Sequence, residues 1–347
     1  MPICLFTRTS RCVLLNAERF YTPLLRAHPN RKRHSRQARR SIMKQPVCVL
    51  GAGRMGSSLA TALVNNGHPT WVWNRTPEKC APLVAMGAKS GTNLQDVVRA
   101  AEIIFVIVLD FAASNALLKR DGVAPLLKGK TVVQLTSGSP RLAREDASWI
   151  GAQGAEYLDG AIMATPDFIG RPEAAILYSG SRTAYETCEP VLRILGGQTT
   201  YVGNVPGQAS ALDTALLAQM WGSLFGALQG MAVAQAEGIE VETLRAQLLA
   251  FKPVVDAALL DAIDRSASCR FAGDDGTLAS LGAHYSAFRH LLEVCDERGL
   301  EPAFVRAMDR VFREALAQNG ASADFASLAP WFQRDGTIAE VAEQADG

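Results

Sequence analysis

Through the first half of the chain, short apolar runs alternate with longer segments of helical periodicity. Val47–Leu50 reads as a buried strand, residues 56–66 as a helix, and Thr70–Trp73 as a second strand ending at Asn74. The pattern continues with a helix over 77–86, a strand over 103–109, a helix over 112–118 and a strand over 131–135. Later runs at 156–158, 174–179 and 199–202 can complete the sheet. Strands separated by helices imply right-handed crossovers and a parallel sheet. From about Gly207 the pattern changes to a long apolar helix over 209–237, with little charge between Asp213 and Glu237, and further helices follow to Trp331. Such a helix is expected to be buried on most of its surface, and a second subunit is its expected cover. The fold class is therefore α/β, a doubly wound sheet followed by a long inter-domain helix and an all-helical C-terminal domain. The expected divisions are 1–42, a leader outside the fold, 43–206 and 207–347.

With 347 residues, 48% hydrophobic and 20% charged, the chain can enclose two cores, which excludes disorder and small disulfide scaffolds. Its net charge of +1 conceals an asymmetry. Of the 35 basic and 34 acidic residues, ten basic ones and a single acid, Glu18, lie in residues 1–42, so that segment carries +9 and the remainder −8. The leader is rich in Arg and poor in acids. Two readings stay open: a mitochondrial-type transit peptide, or a start placed upstream of the folded body, since Met43 stands just before the first strand. An acidic body lacks the phosphate-neutralising surface of a nucleic-acid binder. The seven cysteines are scattered without a CxxC pair, as in reduced intracellular proteins, and no apolar run is long enough to cross a bilayer. The expected compartment is the cytoplasm, with organellar targeting by residues 1–42 as the alternative.

The strongest local signal is Gly51-Ala52-Gly53-Arg54-Met55-Gly56, directly after a predicted strand and opening a predicted helix. In such a loop the first glycine permits the tight turn, the second lets a diphosphate approach the backbone, and the third lets helix and strand pack closely. The helix N-terminus then offers free N–H donors to the anion. About 20 residues on, where an NAD enzyme of Rossmann type carries an acid for the ribose 2′-OH, this chain has Asn74, Arg75 and Thr76, with Lys79 following. Arg75 can fork onto a 2′-phosphate, Thr76 can donate to it, and Lys79 adds charge. The spacing points to NADPH/NADP rather than NADH.

These residues, with Ala62, Gly67 and Val72-Trp-Asn-Arg-Thr76, resemble the cofactor motif of the imine reductases and reductive aminases, departing only by Ala52 where Leu is usual. That family is related to the β-hydroxyacid dehydrogenases, the superfamily of 6-phosphogluconate dehydrogenase. Further matching stretches are Leu135-Thr-Ser-Gly-Ser-Pro140, Tyr157-Leu-Asp-Gly-Ala-Ile-Met-Ala164, Pro172-Glu-Ala-Ala-Ile-Leu-Tyr-Ser-Gly180 and Asp213-Thr-Ala-Leu-Leu217. The discriminating position is Asp213. The hydroxyacid enzymes have Lys here and Asn a turn later; this chain has Asp213, with Leu216 and Leu217 in the Asn region. Ketone reduction develops negative charge on oxygen, which a carboxylate opposes. An iminium is already positive, and a carboxylate within about 4 Å stabilises it. Asp213 suits C=N chemistry, either holding a pre-formed cation or, if an apolar pocket raises its pKa, protonating the nitrogen.

The resemblance further implies that Val108 and Leu109 run past the ribose, that Thr136 and Ser137 approach the nicotinamide, and that the protein is a domain-swapped homodimer. Trp221, two helical turns beyond Asp213, stands where related enzymes place an aromatic beside the substrate, with core packing as the alternative. Asp110 lies in the crevice at the strand C-termini, and Met163 lines the site or the core. Where the family has an acid, Val205 stands, which leaves the contacts at the start of the long helix open. His284 and His290 are assigned to surface or packing roles, and no metal is expected. Two rival functions stay open: a hydroxyacid or semialdehyde reductase of the same superfamily, and a non-catalytic NADPH-binding sensor.

Overall fold

The computed structural model describes residues 44–333; the leader readings and the end of the chain lie outside the described residues. The elements in chain order are β1 (Val47–Leu50), α1 (Arg54–Asn65), β2 (Thr70–Trp73), α2 (Ala81–Ala85), β3 (Lys89–Ser90), α3 (Leu94–Ala100), β4 (Ile103–Val106), α4 (Phe111–Leu118) and β5 (Thr131–Gln134). They continue as α5 (Pro140–Ala152), β6 (Glu156–Ile162), β7 (Ala175–Gly180), α6 (Arg182–Leu195), β8 (Gln198–Gly203), α7 (Gln208–Ala236), α8 (Val241–Ala267), α9 (Leu281–Arg298) and α10 (Ala303–Asn319).

The strands form one sheet in the order β3-β2-β1-β4-β5-β6-β7-β8. All neighbours are parallel except β6 and β7, which run antiparallel and correct the expectation of a wholly parallel sheet. The reason is the connection: residues 163–174 form no α-helix, so the chain folds back instead of crossing over. Side chains alternate between two cores. Val49, Phe105, Val133, Leu158, Ile176 and Tyr178 pack with Leu59 and Leu63 of α1 and Leu192 of α6. On the other face Cys48, Leu50, Ile104, Val106, Val132 and Tyr157 meet Val97 of α3 and Ile150 of α5. Strand order reverses between β1 and β4, so a crevice opens at the C-terminal ends of these strands.

The strand expected over 103–109 stops at Val106. Its tail bends away because the Val108 N–H donates to Thr136 Oγ1 (3.1 Å) instead of continuing the ladder, and Leu109 is left 90% exposed.

The C-terminal half is all helical. Leu281, Phe312, Ala315, Ala323 and Leu328 form its small core. Arg265, only 1% exposed at the end of α8, ties that helix to its surroundings through Asp274 (2.9 Å), Asp261 (3.1 Å) and Asp324 (3.4 Å). The burial expected for α7 is not met within one chain: Leu216, Leu224, Phe225 and Leu228 are exposed, as are Leu249, Phe251 and Leu260 on α8. One chain brings too few helices to cover two such long ones.

Candidate active site

Residues 51–56 form the turn between β1 and α1, and their geometry explains three of them. Gly51 has φ +114, and a Cβ there would sit 2.0 Å from the Ile107 carbonyl oxygen. At Gly56 a Cβ would sit 1.8 Å from the Gly51 oxygen, so α1 packs directly on the turn. Gly53 is different: nothing of the protein lies within 4 Å of its Cβ direction, and its φ of −74 is ordinary. Packing within the protein does not require glycine there, and the open space leaves this edge of the loop accessible to a ligand. Gly53 is also the N-cap of α1 and caps it with no side chain, leaving the first-turn N–H groups available to an anion. Ala52 supplies a further backbone N–H, taken by Asn74 Oδ1 (3.0 Å). Asn74 Nδ2 donates to the Thr76 carbonyl (3.0 Å), so this one side chain fixes the glycine loop to the tip after β2. Arg75, Thr76 and Lys79 are exposed around that tip. These residues fit a dinucleotide phosphate ester: an open glycine edge, free helix N–H groups, and cations at the ribose end.

A buried polar network shapes the far wall of the crevice. Gln134 at the end of β5 donates to Ser114 Oγ on α4 (2.7 Å) and to Asp146 on α5 (3.3 Å), and its Oε1 accepts from the Thr136 N–H (3.2 Å). Thr136 is buried and holds Val108, as described, while Ser137 is exposed beside it. Asp110 serves first as the N-cap of α4, where its Oδ1 accepts from the Ala113 N–H (2.7 Å).

α7 begins at Gly207, in a left-handed conformation (φ +93), with its Cβ direction 2.6 Å from the Pro140 carbonyl oxygen. Thus the first turn of α7 abuts the β5–α5 turn that carries Thr136 and Ser137. Met163 packs beside Ala161, Leu177 and Ala209, the last being one helical turn before Asp213. Where the family's acid is replaced by Val205, the Val205 N–H donates to Gln208 Oε1 (3.1 Å), so a carboxamide closes the helix start.

Asp213 is half-buried on α7. Burial first, and then the negative charge of Asp159, push its carboxyl above its ordinary value. Trp221, two turns on, is 52% exposed. His284 packs on Phe325 (4.7 Å between ring centroids) and His290 pairs with Glu293 on the surface (3.2 Å).

One contributor was passed over in the sequence. Asp159 lies within β6, 1% exposed, and burial raises its carboxyl although Ser210, Ser179 and Gly207 all donate to it. An acid inside an otherwise apolar strand was the available signal.

Two family models match the chain. The NAD binding domain of 6-phosphogluconate dehydrogenase matches residues 46–203, and the C-terminal domain of NADPH-dependent reductive aminase-like proteins matches residues 206–334. The NADPH-dependent reductive aminase of Aspergillus oryzae is 31% identical over 293 residues, covering 84% of this chain and 98% of the relative. Among solved structures, the imine reductase of Myxococcus stipitatus in complex with NADP+ is 48% identical, with a TM-score of 0.79 over 83% of this chain and 100% of its own. The reductive aminase of Aspergillus terreus in complex with NADPH and ethyl-5-oxohexanoate is 31% identical, with a TM-score of 0.76 over 84% of this chain and 100% of its own.

Proposed function

The chain belongs to the imine reductase and reductive aminase family, and on that footing we propose that Asp213 is the group at which its substrate nitrogen is held. The protein is an NADPH-dependent oxidoreductase that reduces C=N bonds to amines. When bound, the reduced nicotinamide supplies the hydride. Gly51, Ala52, Gly53, Arg54, Met55 and Gly56 receive the diphosphate at the α1 N-terminus, Asn74 fixes the tip, and Arg75, Thr76 and Lys79 take the 2′-phosphate. Val108 and Leu109 line the ribose, and Thr136 and Ser137 the nicotinamide. Asp110, Met163 and Trp221 bound the substrate space.

The observation that carries this reading is the environment of Asp213. Its carboxyl is partly desolvated and feels the negative charge of Asp159, so it favours a cationic partner or keeps a proton to donate. The developing oxyanion of a ketone reduction would be repelled at the same place. The apolar faces of α7 and α8 support a homodimer in which the long helices of two subunits are exchanged, each cleft lying between one subunit's nucleotide-binding domain and its partner's helices. We divide the two domains at residues 206 and 207. Cys48, Cys80, Cys188, Cys269 and Cys295 are free, which supports assignment to the cytoplasm. The test is NADPH oxidation, followed by absorbance, with a cyclic imine and with β-hydroxyacid-type carbonyl substrates. The imine should turn over and the carbonyl acids should not. Faster turnover of the carbonyl acids would overturn the reading.

A further inference from the structure

We propose that Asp159 is a positioning residue for the reaction: from within the sheet it caps the helix that carries Asp213 and presents a like charge to it. This rests on the reading of Asp213 given above.

Asp159 sits in the middle of β6, between Gln134 of β5 and Ser179 of β7 in register. A buried carboxylate is costly unless its oxygens are fully bonded. Here Oδ2 accepts from the Ser210 N–H (2.9 Å) and Ser179 Oγ (3.2 Å), and Oδ1 accepts from Ser210 Oγ (2.7 Å). The Gly207 N–H donates to it as well. Ser179 Oγ in turn accepts from the Ala209 N–H (2.9 Å).

These N–H groups belong to the first turn of α7, which has a glycine at its N-cap and no side-chain cap of its own. Ordinarily a Ser, Thr, Asn or Asp next to the helix does this work. In this protein a strand residue 51 positions before Ser210 does it, which locks the start of α7 to the sheet in position and in rotation. Ser210 and Asp213 are three residues apart on α7 and so share a face. The bonds that fix Ser210 therefore fix Asp213.

The second part is electrostatic. The titratable groups that feel Asp159 are Asp213 from α7 and Tyr157 from its own strand. Its β7 neighbour Ser179 is neutral, and its β5 neighbour Gln134 is neutral and bonded to Asp146 of α5. The groups that bond Asp159 are hydroxyls and backbone N–H groups rather than a cation. No cation among them cancels the charge of Asp159, so when both carboxyls ionise they repel, and this like charge, after burial, raises the carboxyl of Asp213.

Asp159→Asn preserves the shape: its oxygen can accept from the Ser210 N–H while its amide donates to a rotated Ser210 hydroxyl. The experiment compares native protein, Asp159→Asn, Ser210→Ala and Asp213→Asn, measuring kcat/KM for a cyclic imine against pH together with NADPH affinity. Asp159→Asn should bind NADPH normally and move the Asp213-controlled limb of the profile to lower pH. A folded Asp159→Asn with an unmoved limb overturns the proposal. Should that variant fail to bind NADPH, Ser210→Ala decides: the proposal expects kcat to fall about fivefold with the NADPH KM unchanged, and an unchanged kcat overturns it. Asp213→Asn separates the two levels. If it is inactive while Asp159→Asn leaves the limb in place, only Asp159 is rejected; if it turns over normally, the reading of Asp213 fails and this proposal with it.

Discussion

Replacing Gly53 by Ala should damage cofactor binding without damaging the fold. The added Cβ meets no protein atom within 4 Å, and φ −74 with ψ −176 is available to any residue. Alanine is the poorer N-cap by about 0.5–1 kcal/mol, but it removes a similar amount of unfolded-chain freedom, about 0.4–1 kcal/mol. These offset, so the melting temperature should stay within about 3 °C of native. The methyl instead occupies space that the diphosphate needs, and NADPH should bind about 30-fold more weakly, equivalent to about 2 kcal/mol. Gly56→Ala is the contrast: its Cβ would sit 1.8 Å from a backbone oxygen, an overlap that costs about 1–3 kcal/mol or more. Thermal melts and fluorescence titration with NADPH on both variants test this. Were Gly53→Ala to bind NADPH within about threefold of native, or to melt as low as Gly56→Ala, the cradle argument would be wrong.

Three further outcomes are expected. Arg75→Ala should raise the KM for NADPH at least about tenfold while barely changing that for NADH, because a 2′-phosphate contact is charge-assisted; equal effects on both would refute the assignment. Asp213→Asn should melt no lower than native near pH 8. A carboxyl raised in the folded state makes stability fall as pH rises from the ordinary value through the folded one, so the variant's advantage should fade on acidification. A melt series against pH checks the sign. Phe225→Asp places a charge on the exposed apolar face of α7 and should dissociate the proposed dimer to monomer by sedimentation, with loss of imine turnover; a dimer that persists in the variant would exclude that face from the interface.

The features legible in the sequence were those fixed by local period or spacing. β1, β2 and the glycine turn followed from an apolar run and three glycines, and α7 ends within a residue or so of its expected bounds. The sequence pattern shows three of the seven residues of β6, because Asp159 and Gly160 interrupt its apolar run. α5 and α6 were missed: their polar faces carry pairs such as Arg141–Glu145 and Arg193–Glu189, which dilute the apolar signal in a short window. Strand direction at β6–β7 has no periodic signature at all. Asp213 is proposed from its residue type at a motif position. Its coupling to Asp159 joins residues more than fifty positions apart and emerges only when α7 is laid on the sheet.

The central claim is that the carboxyl of Asp213 meets the substrate nitrogen. Single-turnover reduction of a cyclic imine by native protein and by Asp213→Asn, both saturated with NADPH, measures it most directly. A fall of about a hundredfold or more in the hydride-transfer rate with NADPH affinity unchanged is predicted; a rate within about threefold of native would contradict the account.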